Sequence, residues 1–162
     1  MPEKQTMKRA RRDKRQGKSA STQAGEFVRE EMHHVREGKH GARSTRQAIV
    51  IGLSKARRAG VKLRAPRRGR ASTATPENAR RALGRGRSRR VPSTTRSRAV
   101  RAALRREGHR AASRGALSRQ ARASARRRGP RARSRAAQKA VRSKRPRTRA
   151  AATRKAARTR AR

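Results

Sequence analysis

The chain has no cysteine, tryptophan or tyrosine, a single phenylalanine and only eight acidic residues among 162. Without cysteine there is no disulfide frame, thiol chemistry or thiolate-held metal, which fits a reducing cytoplasm. With one aromatic there is no row of rings for unpaired bases to stack on, so sequence-specific reading of single strands is not expected. No apolar run approaches membrane-spanning length, and no amphipathic stretch carries Trp, Phe or Leu to a lipid surface. Met1-Pro2-Glu3-Lys4 leads into no apolar segment of the signal-peptide kind, so export by a standard signal is not expected. There is no Walker pattern, no Gly-rich phosphate loop and no nucleophile–base–oxyanion set; neither enzyme activity nor a cofactor is expected.

What the chain does have is cation. Fifty-three Lys and Arg give a formal net charge of +45, and a compact globule of that charge repels itself unless a phosphate polymer neutralises it. The charge is uneven: residues 1–20 and 21–65 each carry +6, whereas 66–162 carry +33, with 32 Arg and 3 Lys among 97 residues. Large apolar residues run the other way. Ten lie between Phe27 and Leu63, and six (Leu83, Val91, Val100, Leu104, Leu117 and Val141) follow Pro66.

The expected fold is therefore mostly α with extensive disorder. Residues 1–20 read as a basic disordered arm, 21–66 as a helical hairpin module, and 67–162 as an Arg/Ala-rich disordered nucleic-acid-binding tail. The first helix is predicted over about 22–37, capped by Ser21 or Thr22, with Ala24, Val28, Met32 and Val35 on one stripe and Gly38 as its stop. Ser44-Thr45-Arg46-Gln47 spells a capping box that opens a second helix over about 45–59. Gly60 ends it, Val61 folds back on it, and Gly52 lets the two helices approach closely. Ten large apolar side chains are few for such a module, so pairing into a homodimer through 21–66 is the expected remedy. In the tail, short helices are predicted from Thr75-Pro76-Glu77 to a stop at Gly84 and over 96–107. Residues 135–142 and 151–158 form a degenerate repeat.

Ser19-Ala20-Ser21-Thr22-Gln23-Ala24-Gly25-Glu26-Phe27-Val28-Arg29-Glu30-Glu31, Gly38-Lys39-His40-Gly41-Ala42-Arg43-Ser44 and Gly52-Leu53-Ser54-Lys55-Ala56-Arg57-Arg58-Ala59-Gly60-Val61 resemble a family of small basic bacterial proteins. Most of that family is uncharacterised, and its members carry names such as DNA-binding or plasmid stabilization protein. The resemblance covers residues 1–66 and implies a bacterial origin, without an activity or site residues to carry over. The tail is similar in style to the tails of bacterial histone H1-like proteins, with Arg in place of Lys.

The expected function is sequence-tolerant duplex DNA binding in the bacterial cytoplasm, at the nucleoid. Arg67, Arg68, Arg70, Arg85, Arg87, Arg89, Arg90, Arg126, Arg127 and Arg128 are the candidate phosphate contacts. Arg68-Gly69-Arg70 and Arg85-Gly86-Arg87 also have the form of minor-groove hooks, although neither is followed by the usual Pro. Glu30-x-x-His33, Glu31-x-x-His34 and Glu37-x-x-His40 have metal-ligand spacing but read as a solvated helix face, so no metal is expected. Arg43, Arg46 and Gln47 open the second helix, yet the loop before it is too long for a helix-turn-helix, which argues against base reading. Two alternatives stand beside DNA: an RNA-binding protein or RNA chaperone, and a protein-interaction module of a plasmid-maintenance system tethered to DNA.

Overall fold

The computed structural model describes residues 2–66, 74–87, 93–143 and 157. Among them are six α-helices, one 3-10 turn and no strand, so the protein is mostly α. The chain divides into two compact units, Met1–Ser118 and Arg119–Arg162.

The first unit is centred on α2 (Ala20–Arg36) and α3 (Thr45–Arg58). They pack in opposite directions: Met32 and Val35 late in α2 meet Ala48 early in α3, while Ala24 and Phe27 meet Ala56. Phe27 and Val35 are fully buried, each stabilising the fold by about 1.5–3 kcal/mol. The closeness comes from Gly52, where a Cβ would lie 2.7 Å from the Val28 Cα and 3.1 Å from the Phe27 carbonyl oxygen. Ser44 caps α3 as expected, its Oγ accepting from the Gln47 amide, while Gln47 Oε1 reaches one residue past the N-cap to the Arg43 amide. At the other end of α3, the amides of Gly60 and Val61 return to the carbonyls of Arg57 and Ala56, with Gly60 at φ +89°, as in a Schellman cap. The N-cap of α2 is Ser19, accepting from the Thr22 amide, two residues ahead of the predicted start.

The arm differs from expectation. Residues Lys4–Arg15 form α1, which lies on α2 with Thr6, Ala10 and Asp13 buried. These residues recur at i, i+4 and i+7, a docking face built from small and polar side chains rather than large apolar ones. Charge supports it: Arg9 pairs with Glu26 at 2.8 Å, Lys18 closes on Asp13 at 2.7 Å, and the Glu3 amide donates to Glu30 Oε2 at 3.2 Å.

Part of the expected tail also belongs to this unit. Helix α4 (Ala74–Arg87) buries Ala79 and Ala82, packs on α3 and runs through Gly84, the predicted stop. After α5 (Thr94–Arg105), residues 104–112 seat on the loop between α2 and α3. Gly41 and Ala42 donate their amides to the carbonyls of Leu104 and Gly108, at 2.8 and 3.0 Å. The 3-10 turn Arg110–Ala112 is held by Arg36 Nε on the Ala112 carbonyl and Thr45 Oγ1 on the Ala111 carbonyl. Ala111 and Ala112 thereby join Met32, Val35, Ala42 and Ala48 in one buried cluster. Ala79, Ala82, Ala111 and Ala112 thus add buried apolar surface from beyond residue 66 to that of the helix pair. Large hydrophobic side chains exposed among the described residues are the isolated Val50, Val100 and Val141, which form no patch.

Helix α6 (Arg114–Ser143) is broken at Gly129, whose φ of +74° is left-handed, and it restarts at Pro130. Glycine accepts that backbone without strain, and proline fits the first turn of a helix.

Candidate nucleic-acid interface

From residue 119 to 143 the second unit has ten basic residues and no acid. Every Arg and Lys from Arg119 to Lys139 is exposed. Before the break, Arg119, Arg122 and Arg126 recur at i, i+3 and i+7. After it, Arg131, Arg135 and Lys139 recur at i, i+4 and i+8. Such spacing lines cations along one side of each helical segment. Like charges one turn apart oppose the helix by about 0.2–0.5 kcal/mol per pair, a repulsion that a polyanion removes. Arg126, Arg127 and Arg128 form the exposed end of the first segment.

Among the other candidates, Arg67, Arg68, Gly69, Arg70, Arg89 and Arg90 lie outside the described residues. Arg85, Gly86 and Arg87 form the last turn of α4. A minor-groove hook lies extended, whereas these residues are helical, and a Cβ at Gly86 would lie 2.7 Å from the Arg57 carbonyl oxygen. The Gly86 position is thus explained by packing against the end of α3.

One basic surface escaped sequence reasoning. Lys4, Lys8, Arg11 and Arg15, all exposed, recur at i, i+4, i+7 and i+11 on α1 and, with Pro2 and Met7, line an open groove of about 560 Å³. The spacing was legible; what was not apparent was a buried opposite face that holds α1 in place. Arg43 and Arg46 are also exposed at the start of α3.

Most of the acids turn inward or pair. Glu30 and Glu31, read from the sequence as part of a solvated face, are buried, with Lys55 Nζ 3.5 Å from Glu30 Oε1 and 2.6 Å from Glu31 Oε2. Glu3 takes His34 Nε2 at 2.8 Å and Lys39 Nζ at 3.3 Å, and these hydrogen bonds, His34 first, hold its carboxyl below the usual range. Lys39 likewise holds Glu37 low and is itself raised by that hydrogen bond. Arg57, largely buried, reaches the carbonyls of Leu63 and Arg64, and burial lowers its pKa. Among the described residues no helix is long and apolar enough to cross a membrane.

No protein-family model, curated protein or solved structure matches the chain.

Proposed function

We propose that this chain is a sequence-tolerant DNA-binding protein of the nucleoid-associated, histone H1-like kind. The observation that carries the reading is the acid-free stretch 119–143, in which every Arg and Lys from Arg119 to Lys139 is exposed. The first unit folds around internally paired acids, and α1 adds a second basic stripe. Binding is driven by phosphate neutralisation and counterion release. The Arg side chains screen and bridge duplexes, and the planar guanidinium suits paired contacts to phosphate oxygens.

The test is the salt dependence of affinity for duplex DNA. Ten contacts predict a slope of log K against log salt of about −9, from roughly −0.9 per phosphate. Deleting residues 119–162 flattens the slope sharply, whereas Arg43→Ala or Arg46→Ala changes it by about one contact. If Arg46→Ala abolished binding to one sequence while the deletion left that binding intact, α3 would be reading bases and the proposal would fail. Nuclease-controlled crosslinking in cells separates DNA from the RNA alternative, and a single stoichiometric protein captured after nuclease treatment would favour the plasmid-maintenance module.

A further inference from the structure

Glu31, His34 and His40 bring one ligand atom each to within 4.8 Å of one another, inside the first unit. His34 lies one turn after Glu31 on α2, and the turn at Gly38 folds His40 back over the same face, with the two imidazole rings edge to face at 6.0 Å. His40 Nδ1 is 3.0 Å from the Gly41 carbonyl oxygen, an atom that only accepts. Nδ1 therefore carries a proton, and Nε2, the ring nitrogen left to take an ion, faces Glu31 Oε1 3.2 Å away. Glu31 is fully buried, and neither of its carboxylate oxygens is in hydrogen-bond geometry. Lys55 takes the side of Oε2 and leaves Oε1 pointing at the imidazole.

We propose that Glu31 Oε1, His34 and His40 bind one divalent transition-metal ion of the zinc class. A zinc ion about 2.0–2.2 Å from nitrogen and oxygen ligands in tetrahedral array sets them roughly 3.3 Å apart, which is the separation of Glu31 Oε1 and His40 Nε2. Glu3 Oε1 accepts from His34 Nε2 at 2.8 Å; an ion taken by that nitrogen releases the proton and leaves Glu3 as a further carboxylate beside the site. Lys39, which also reaches Glu3, is half-exposed and pairs more closely with Glu37, at 3.0 Å. The surroundings support the ion twice over. The hydrogen bond from His40 Nδ1 to a backbone carbonyl fixes the tautomer that a ligating histidine needs, and Lys55 orients the ligating carboxylate from its far oxygen. Glu3, Glu30, Glu31 and Glu37 outnumber Lys39 and Lys55 by two charges, in a chain whose net charge is +45. Two imidazoles with a carboxylate select zinc-like ions over magnesium or calcium, which prefer all-oxygen sites. The ion would tie the end of α2 to the loop on which residues 104–112 seat.

The experiment uses the full chain, freed of nucleic acid by nuclease and high salt and of metal by a chelator, and titrated with Co²⁺. The expected result is a visible ligand-field band of four-coordinate intensity that saturates at one equivalent and is displaced by Zn²⁺. The double variant His34→Gln/His40→Gln should bind on the order of 100-fold more weakly or worse, since loss even of a supporting outer contact costs 10–100-fold, whereas His33→Gln should match the parent. Imidazole ¹⁵N spectra of the parent need no variant: Zn²⁺ should shift His34 and His40 and leave His33 and His109 in place. Absence of the band at one equivalent, an unchanged affinity in the double variant, or shifts confined to His33 or His109 would overturn the proposal.

Discussion

Replacing Gly52 with alanine sets two effects of known sign against each other. In a helix interior alanine is better than glycine by about 0.8–1.0 kcal/mol, so on propensity alone Gly52→Ala stabilises. The added Cβ, however, would lie 2.7 Å from the Val28 Cα, 3.0 Å from the Val28 nitrogen and 3.1 Å from the Phe27 carbonyl oxygen. Carbon atoms in contact need about 3.5–4.0 Å, a shortfall on the order of 1 Å against backbone that cannot rotate away. Overpacking of this kind costs about 1–3 kcal/mol, and rigid atoms on both sides put it toward the upper end, for a net loss of about 1–2 kcal/mol. Gly25 is the control: it is exposed on α2, and a Cβ there meets nothing within 4 Å, so Gly25→Ala should gain most of the propensity term. Circular dichroism melts in chelator should show Gly52→Ala below the parent and Gly25→Ala above it. At roughly 4–8 °C per kcal/mol for a small domain, the midpoints should lie on the order of 10 °C apart. A Gly52→Ala protein as stable as Gly25→Ala would refute the close approach of α2 and α3.

Lys55→Met strands two buried carboxylates beside one another and should destabilise by about 3–5 kcal/mol, the usual loss when one partner of a buried ion pair is removed; denaturant titration checks it, and a loss under about 1 kcal/mol would show that Glu30 and Glu31 are not buried as described. At Gly41 a side chain would strike the Glu107 carbonyl, so Gly41→Ala should release residues 104–112 while α2 and α3 stay paired. Hydrogen exchange should then speed up at the Gly41 and Ala42 amides and stay slow in α3. A peptide of residues 119–143 should be mostly coil in dilute buffer, because its cations repel one turn apart, and should gain helix when duplex DNA neutralises them; an unchanged circular dichroism spectrum at saturation would exclude coupled folding there.

Helices α2 and α3 were legible because their signals are strong and local: an apolar stripe from Ala24 to Val35, the capping box at Ser44, and a terminal glycine at position 60. Helix α1 was not, because its buried face is Thr6, Ala10 and Asp13, whose burial depends on a distant partner and an ion pair to Glu26. The docking of Ala111 and Ala112 was also hidden. Alanine carries little hydrophobic signal, and that segment is held by backbone amides at Gly41 and Ala42 whose partners no sequence pattern announces. At the acids, Glu-x-x-His spacing was visible, but the turn that carries His40 back over Glu31 is a tertiary event. At Arg85-Gly86-Arg87 the spacing alone did not show that the glycine lies against the end of α3.

The break at Gly129 governs how far the basic helix can reach. Unbroken, thirty residues would form a rod of about 45 Å, longer than one turn of duplex at about 34 Å. Split at residue 129, α6 becomes two rods of roughly 22 and 21 Å, each too short to follow a full turn. On the proposed function, each rod then grips a separate run of phosphates as a weak, independent foothold, with its neighbour raising the local concentration for rebinding. A protein attached in this way can lift one foothold while the other holds, and so move from one duplex to the next without ever being wholly free.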